Sequence, residues 1–313
     1  MKAFVTGVAG FIGSTLADRL IAQGADVVGL DCFTDYYPRA IKERNLSALR
    51  GHAGFRFVEA RLQDADLGAL LADRTHVFHF AAQAGVRKSW GRDFAIYTVN
   101  NIEATQVLLE AVRAVPAIDR LVYASSSSVY GDAVPMPMRE DARPQPVSPY
   151  GVSKLAGEHL CNLYHLNHGV PAVSLRFFTV YGPRQRPDMG FHKFLRAALT
   201  GEPLTLFGDG AQTRDFTFVA DAVAATIAAA TQGVPGRVYN IGGGSRVSVN
   251  QVLEMIGRVA GRRPVIQAES VQKGDMRDTY ADTTLARKEL GFAPTVGLEA
   301  GLAAEYQWLV GVL

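Results

Sequence analysis

The chain has 313 residues, 48% hydrophobic and 20% charged, with a formal net charge of +2, an ordinary globular composition long enough for one large domain and a smaller one. No block of like charge suggests a nucleic-acid or membrane-surface arm, and no run of about 18 apolar residues suggests a span. The two cysteines, Cys32 and Cys161, form no disulfide framework and have no zinc-ligand spacing, so a reducing compartment and no metal are expected. The apolar opening at residues 1–6 is too short for a signal peptide, which points to the cytoplasm.

Short β-branched runs (Lys2–Thr6, 26–30, Phe55–Glu59, 76–80, 120–124 and 172–176) alternate with helix-length stretches at 11–23, 94–115 and 150–167. Near-continuous apolar strands alternating with helices predict an α/β fold, a doubly wound parallel sheet of Rossmann type covered on both faces. A glycine cluster directly after the first strand argues against a closed barrel. Beyond residue 179 the rhythm breaks at Gly182-Pro183-Arg184-Gln185-Arg186-Pro187-Asp188, and a helix at 250–260 is followed by irregular pieces. These features predict a main domain over 1–178 and a smaller mixed α/β lobe over 179–313. The apolar run at 238–241 reads as one more buried strand, so 236–243 is expected to return to the main sheet.

Gly7-Val8-Ala9-Gly10-Phe11-Ile12-Gly13 follows the first strand and opens the first helix. Glycine lets the chain turn, lets backbone amides approach a pyrophosphate and lets the helix pack against the sheet, while the helix N-terminus favours the anion. Alone, such glycines also serve a plain tight turn. Asp31 ends the second strand, where a carboxylate can accept from ribose hydroxyls and repels a 2′-phosphate, so NAD is expected over NADP.

Tyr150 and Lys154 stand one helical turn apart, behind Ser148 as N-cap and Pro149 in the first turn. A tyrosine titrates near 10, and a neighbouring ammonium favours its phenolate. Before them, the strand at 120–124 runs into Ser125-Ser126-Ser127-Ser128, at the strand end where ligands bind in open α/β folds.

Together these motifs resemble the extended short-chain dehydrogenase/reductases that act on nucleotide sugars, over essentially the whole chain. The resemblance implies Tyr150 as base, Lys154 as its tuner and ribose ligand, and Ser126 as hydroxyl partner of the substrate oxygen. It implies that NAD contacts Gly7, Gly10, Phe11, Ile12, Gly13 and Asp31, then Phe80, Ala81, Ala82 and Gln83 after the fourth strand, Asn100, and Phe177 after the sixth. Arg61 stands where the family usually places an aspartate on the adenine, which leaves that contact to the Leu62 backbone.

Relatives that remove water or carbon dioxide carry acids where this chain has Ser126, Ser127 and Ser128, so epimerisation is the expected chemistry. Residues 175–189, together with Ala81-Ala82-Gln83-Ala84-Gly85-Val86-Arg87 and Asp31-Cys32-Phe33-Thr34-Asp35-Tyr36-Tyr37, resemble the UDP-glucuronate 4-epimerases. Galactose epimerases carry Asn at the position of Thr179. The resemblance implies that Ser127, Ser128 and Thr179 hold the uronate together with Arg184 or Arg186. Leu206 and Phe207 would lie near uracil, Arg214 and Arg87 near the diphosphate, and Gln272 and Asp275 near its ribose and diphosphate. The implied reaction converts UDP-glucuronate to UDP-galacturonate through transient oxidation to a 4-keto sugar, with NAD unchanged at the end. That intermediate is a β-keto acid, so a fixed carboxylate orientation would suppress loss of carbon dioxide. The same motifs leave as alternatives a UDP-glucose or UDP-N-acetylglucosamine 4-epimerase, a UDP-glucuronate decarboxylase and a non-enzymatic NAD-sensing regulator. The family also implies a homodimer through the helices at 94–115 and 150–168.

Overall fold

A strand buried on both faces belongs in the middle of a covered sheet, and the first strand is of that kind. In the computed structural model, which describes residues 1–270 and 274–313, β1 (Lys2–Thr6) is buried at every residue after Lys2. It lies between β2 (Asp26–Asp31) and β4 (His76–His79), with β3 (Phe55–Glu59) at the edge beyond β2. On the other side follow β5 (Arg120–Ser126), β6 (Ala172–Phe177) and the strand Val238–Ile241, which pairs with β6 at Val238–Ser174. All seven strands are parallel. The chain reverses its direction of winding between β1 and β4, and the C-terminal ends of those strands form the crevice in which open α/β sheets bind ligands.

Helix α1 (Phe11–Ala22) lays Leu16 and Leu20 on one face of the sheet, beside Ala222, Ala225 and Ala229 of helix Val219–Gln232. The other face is covered by Leu108, Leu109 and Val112 of helix Ala104–Arg113 and by Cys161 and Tyr164 of helix Pro149–His168. A separate cluster forms away from the sheet, where Tyr181 meets Phe191 and Leu195 of helix Gly190–Thr200, Ile256 of helix Val249–Ala260 and Leu302 of helix Leu298–Val310. Among the described residues no helix is long and apolar enough to cross a membrane.

The helix expected over 94–115 differs in detail. It runs as Phe94–Tyr97, a π-helical stretch Thr98–Glu103 and then Ala104–Arg113. The wide turn is held by buried Asn101, whose amide accepts from Gln83 N at 2.7 Å and donates to Gln83 O at 3.0 Å and Ser153 Oγ at 2.8 Å. A long-range amide clasp of this kind leaves no mark on local apolar periodicity, and π turns recur at functional sites.

Candidate active site

A cavity of about 460 Å³ opens along the C-terminal ends of β1, β2, β4 and β5. Its floor is the glycine turn. Gly7 has φ +68°, and a Cβ there would sit 2.6 Å from Ala81 N, so only glycine allows the β1 and β4 ends to approach. Gly10 caps α1 with no side-chain bond, and the first turn carries no acid, which leaves the helix's first N–H groups for an anion. Asp31 ties this turn to the second strand: Oδ2 accepts from Ala9 N at 3.0 Å and Oδ1 from Phe33 N at 2.9 Å. Burial pushes its carboxyl up, against the Phe33 N–H, the Lys42 charge and the Ala9 N–H. The glycine cradle, uncapped helix and strand-end carboxylate fit a dinucleotide. Gly7, Gly10, Phe11, Ile12, Gly13, Asp31 and Leu62 line the cavity, as do Phe80, Ala81, Ala82, Gln83, Asn100 and Phe177.

The proton-transfer end lies where helix Pro149–His168 starts. Ser148 Oγ accepts from Gly151 N at 3.1 Å, and Pro149 occupies the first turn, as the sequence pattern predicts. A Cβ on Gly151 would overlap the Ser128 carbonyl, so this glycine lets the helix start touch the serine turn. Tyr150 thereby comes close enough to Ser126 for the serine hydroxyl to favour its phenolate. Ser126 Oγ also accepts from Ser128 N at 3.2 Å. The Tyr150 ring packs edge-on against Tyr97, 6.2 Å between centroids, and Tyr97 is fixed by donating to Gly85 O at 2.7 Å. Burial raises the Tyr150 phenol, and the Ser126 bond and the Arg186 charge oppose that rise.

Lys154 lines the same cavity, one helical turn after Tyr150. Its ammonium lies 4.5 Å from the Tyr123 ring centroid, and burial lowers it to about 8 despite Cys161 and Glu158. The helix is pinned to β6 by a buried pair, Arg176 Nε donating to Glu158 Oε2 at 3.1 Å, while Ser125 Oγ donates to the same oxygen at 2.8 Å.

Of the residues expected around the sugar, Ser126, Ser127, Ser128, Thr179 and Arg186 line the cavity. Arg184 does not. It has φ +72° and pairs with Asp18 of α1 at 2.6 Å, so of the two arginines it is Arg186 that lines the cavity. Of the residues expected to hold the nucleotide, Arg87 follows Val86 of the cavity wall. Arg87 pairs with Asp275 at 2.6 Å and stacks 4.3 Å over the Phe207 ring, while Leu206 is buried in strand Leu204–Phe207. Arg214 donates to the carbonyls of Arg277 at 2.7 Å and Thr213 at 2.9 Å, and to that of Met276. Gln272 lies outside the described residues.

Sequence reading alone assigned no role to Tyr36, Tyr37, Lys42 and Asp188, which also line the cavity. Lys42 is buried and donates to Thr34 O at 2.5 Å. Asp188 takes Arg186 in a two-bond grip, Nε to Oδ1 and Nη2 to Oδ2, each 2.9 Å. The Arg-Pro-Asp spacing at 186–188 was the one local signal for that pair.

Comparison with known proteins agrees with this geometry. The uncharacterized UDP-glucose epimerase YtcB of Bacillus subtilis is 44% identical over 99% of this chain and 98% of its own. The UDP-glucuronate 4-epimerase of Thermodesulfobacterium geofontis is 35% identical over 97% and 94%. The crystal structure of UDP-glucuronic acid 4-epimerase from Bacillus cereus, in complex with UDP-glucuronic acid and NAD, superposes with a TM-score of 0.97 at 43% identity, covering all of both chains. The family model for NAD dependent epimerases and dehydratases matches residues 3–242. With its glycine cradle, strand-end carboxylate and Tyr150 helix in one crevice, this chain belongs to the NAD dependent epimerase/dehydratase family.

Proposed function

We propose that the protein epimerises UDP-glucuronate to UDP-galacturonate at carbon 4. The observation that carries this reading is the company Tyr150 keeps. Its cavity holds hydroxyl donors at Ser127, Ser128 and Thr179 and the guanidinium of Arg186, a donor set suited to a carboxylate. The similarity to the Bacillus cereus enzyme supports it.

NAD, bound through the glycine turn and Asp31, supplies a reversible hydride acceptor. Tyr150 takes the 4-hydroxyl proton when carbon 4 is oxidised and returns it when carbon 4 is reduced. Ser126 orients that oxygen by hydrogen bonding, and Lys154 adds positive charge at the cofactor ribose. Because burial favours the neutral phenol, the Ser126 bond and the Arg186 charge are what make the phenolate accessible. Arg186, Ser127, Ser128 and Thr179 hold the uronate so that its carboxylate stays out of alignment with the 4-ketone, which suppresses loss of carbon dioxide.

Residues 1–178 with 236–243 form the cofactor-holding part of this proposal, and 179–313 the nucleotide-sugar part, with Arg87, Phe207, Arg214, Gln272 and Asp275 toward the nucleotide. Exposed Ile96, Val152, Leu163 and Leu166 lie along the helices at 94–97 and 149–168 and support a homodimer through that face. Both cysteines are unpaired, which suits the cytoplasm. The name of the Bacillus subtilis relative favours UDP-glucose as a second reading.

The two readings separate by kcat/KM on both sugars. A site built for an anion leaves donors unpaired around a hydroxymethyl group, at about 1–3 kcal/mol each, or roughly one to two decades per contact. UDP-glucuronate should exceed UDP-glucose by at least that margin. Equal efficiency would overturn the uronate reading.

A further inference from the structure

Three segments far apart in sequence meet at the phenol of Tyr36. Its hydroxyl donates to Asp188 Oδ2 at 3.3 Å, and the same carboxylate grips Arg186 through two bonds of 2.9 Å. The Tyr36 ring is flanked by the Arg186 guanidinium at 5.9 Å and the Lys88 ammonium at 5.2 Å from its centroid. Gly85, at φ +105°, forms the third wall, since a Cβ there would overlap the Tyr36 hydroxyl. Tyr36, Gly85, Arg186 and Asp188 line the cavity that Tyr150 lines. The Tyr36 loop is tied at its base to the cofactor strand through the Phe33 N–H to Asp31 bond, 2.9 Å.

The protonation states suit this arrangement. Burial, with the Asp188 charge, pushes the Tyr36 phenol well above its usual range, so it stays a donor. Burial would raise the Asp188 carboxyl, but Arg186 outweighs it and holds the group below its ordinary value. A guanidinium carries five N–H groups. Asp188 engages one on Nε and one on Nη2, and among the described residues no hydrogen bond engages Nη1.

We propose that Tyr36 is a positioning residue that aims Arg186, through Asp188, at the sugar carboxylate and so sets the preference for a uronate over a hexose. This rests on the reading of UDP-glucuronate as substrate.

The test is isothermal titration of NAD-loaded full-length protein with UDP-glucuronate and with UDP-glucose, in a Tyr150→Phe background that prevents turnover. Tyr36→Phe keeps the ring and removes the hydroxyl. It should weaken UDP-glucuronate about tenfold, the loss expected for one hydrogen bond to a charged acceptor, and leave UDP-glucose within error. Added to Arg186→Gln, it should cause no further loss, because its effect passes through that arginine. This double variant reads coupling rather than folding. Equal weakening of both sugars, no weakening, or the same loss in the Arg186→Gln background would overturn the role of Tyr36. If the protein with Tyr36 intact binds the two sugars equally, the substrate reading fails and this inference with it. If that protein discriminates and Tyr36→Phe discriminates to the same extent, only the inference fails.

Discussion

Glu305 is fully buried in helix Leu298–Val310, yet it faces the loop that carries Arg186. Its Oε2 accepts from Gly182 N at 2.8 Å, while Oε1 has no partner among the described residues. Burial, only partly offset by the Gly182 bond, raises its carboxyl from 4.5 to about 8. An acid whose folded pKa lies above its unfolded one holds more protons folded than unfolded between the two. The folded state therefore loses stability as pH climbs from about 4.5 to about 8. At about 1.4 kcal/mol per pH unit, the upper bound for the whole window is about 5 kcal/mol, a large share of a typical domain's total. Glu305→Gln keeps an oxygen for Gly182 and cannot ionise. In urea melts the variant should match the wild type near pH 5 and be more stable by about 3 kcal/mol or more at pH 8.5, once relaxation around the site is allowed for. Parallel stability curves for the two proteins between those pH values would refute this account of a buried, neutral acid behind the Arg186 loop.

Tyr150→Phe keeps the ring against Tyr97 and removes the proton acceptor, so turnover should fall by roughly 10²–10⁴-fold with UDP-sugar affinity retained; a rate above a tenth of wild type would dismiss Tyr150 as the base. Asn101→Leu removes three hydrogen bonds that clasp the π turn to Gln83 and Ser153. It should lower the urea stability by about 3 kcal/mol and loosen NAD retention, whereas a loss below about 1 kcal/mol would show that the clasp is not what holds the turn.

Much of the site is legible in sequence because its parts are local. The glycine turn, Asp31 at a strand end, the serine run and the Ser148-Pro149 start of the Tyr150 helix each sit within a few residues of the element that places them. The Asn101 clasp, the Glu158–Arg176 pair and the meeting of Tyr36 with Asp188 join segments with no common periodicity, and only the folded chain brings them together. Arg184 and Arg186 show the same limit. Two arginines in one loop look equivalent on paper, but the positive φ of Arg184 sends it to Asp18 while Arg186 turns inward. The contact of the Lys154 ammonium with the face of Tyr123, a residue of β5, is likewise invisible in the local spacing.

The most direct measurement is proton NMR of UDP-glucuronate incubated with the purified protein and NAD, without any added oxidant or reductant. UDP-galacturonate should grow in to a stable mixture of the two uronates, with no UDP-pentose, because Tyr150 returns its proton to the 4-oxygen while the carboxylate stays held. An unchanged UDP-glucuronate spectrum, or a decarboxylated UDP-pentose as the main product, would contradict it.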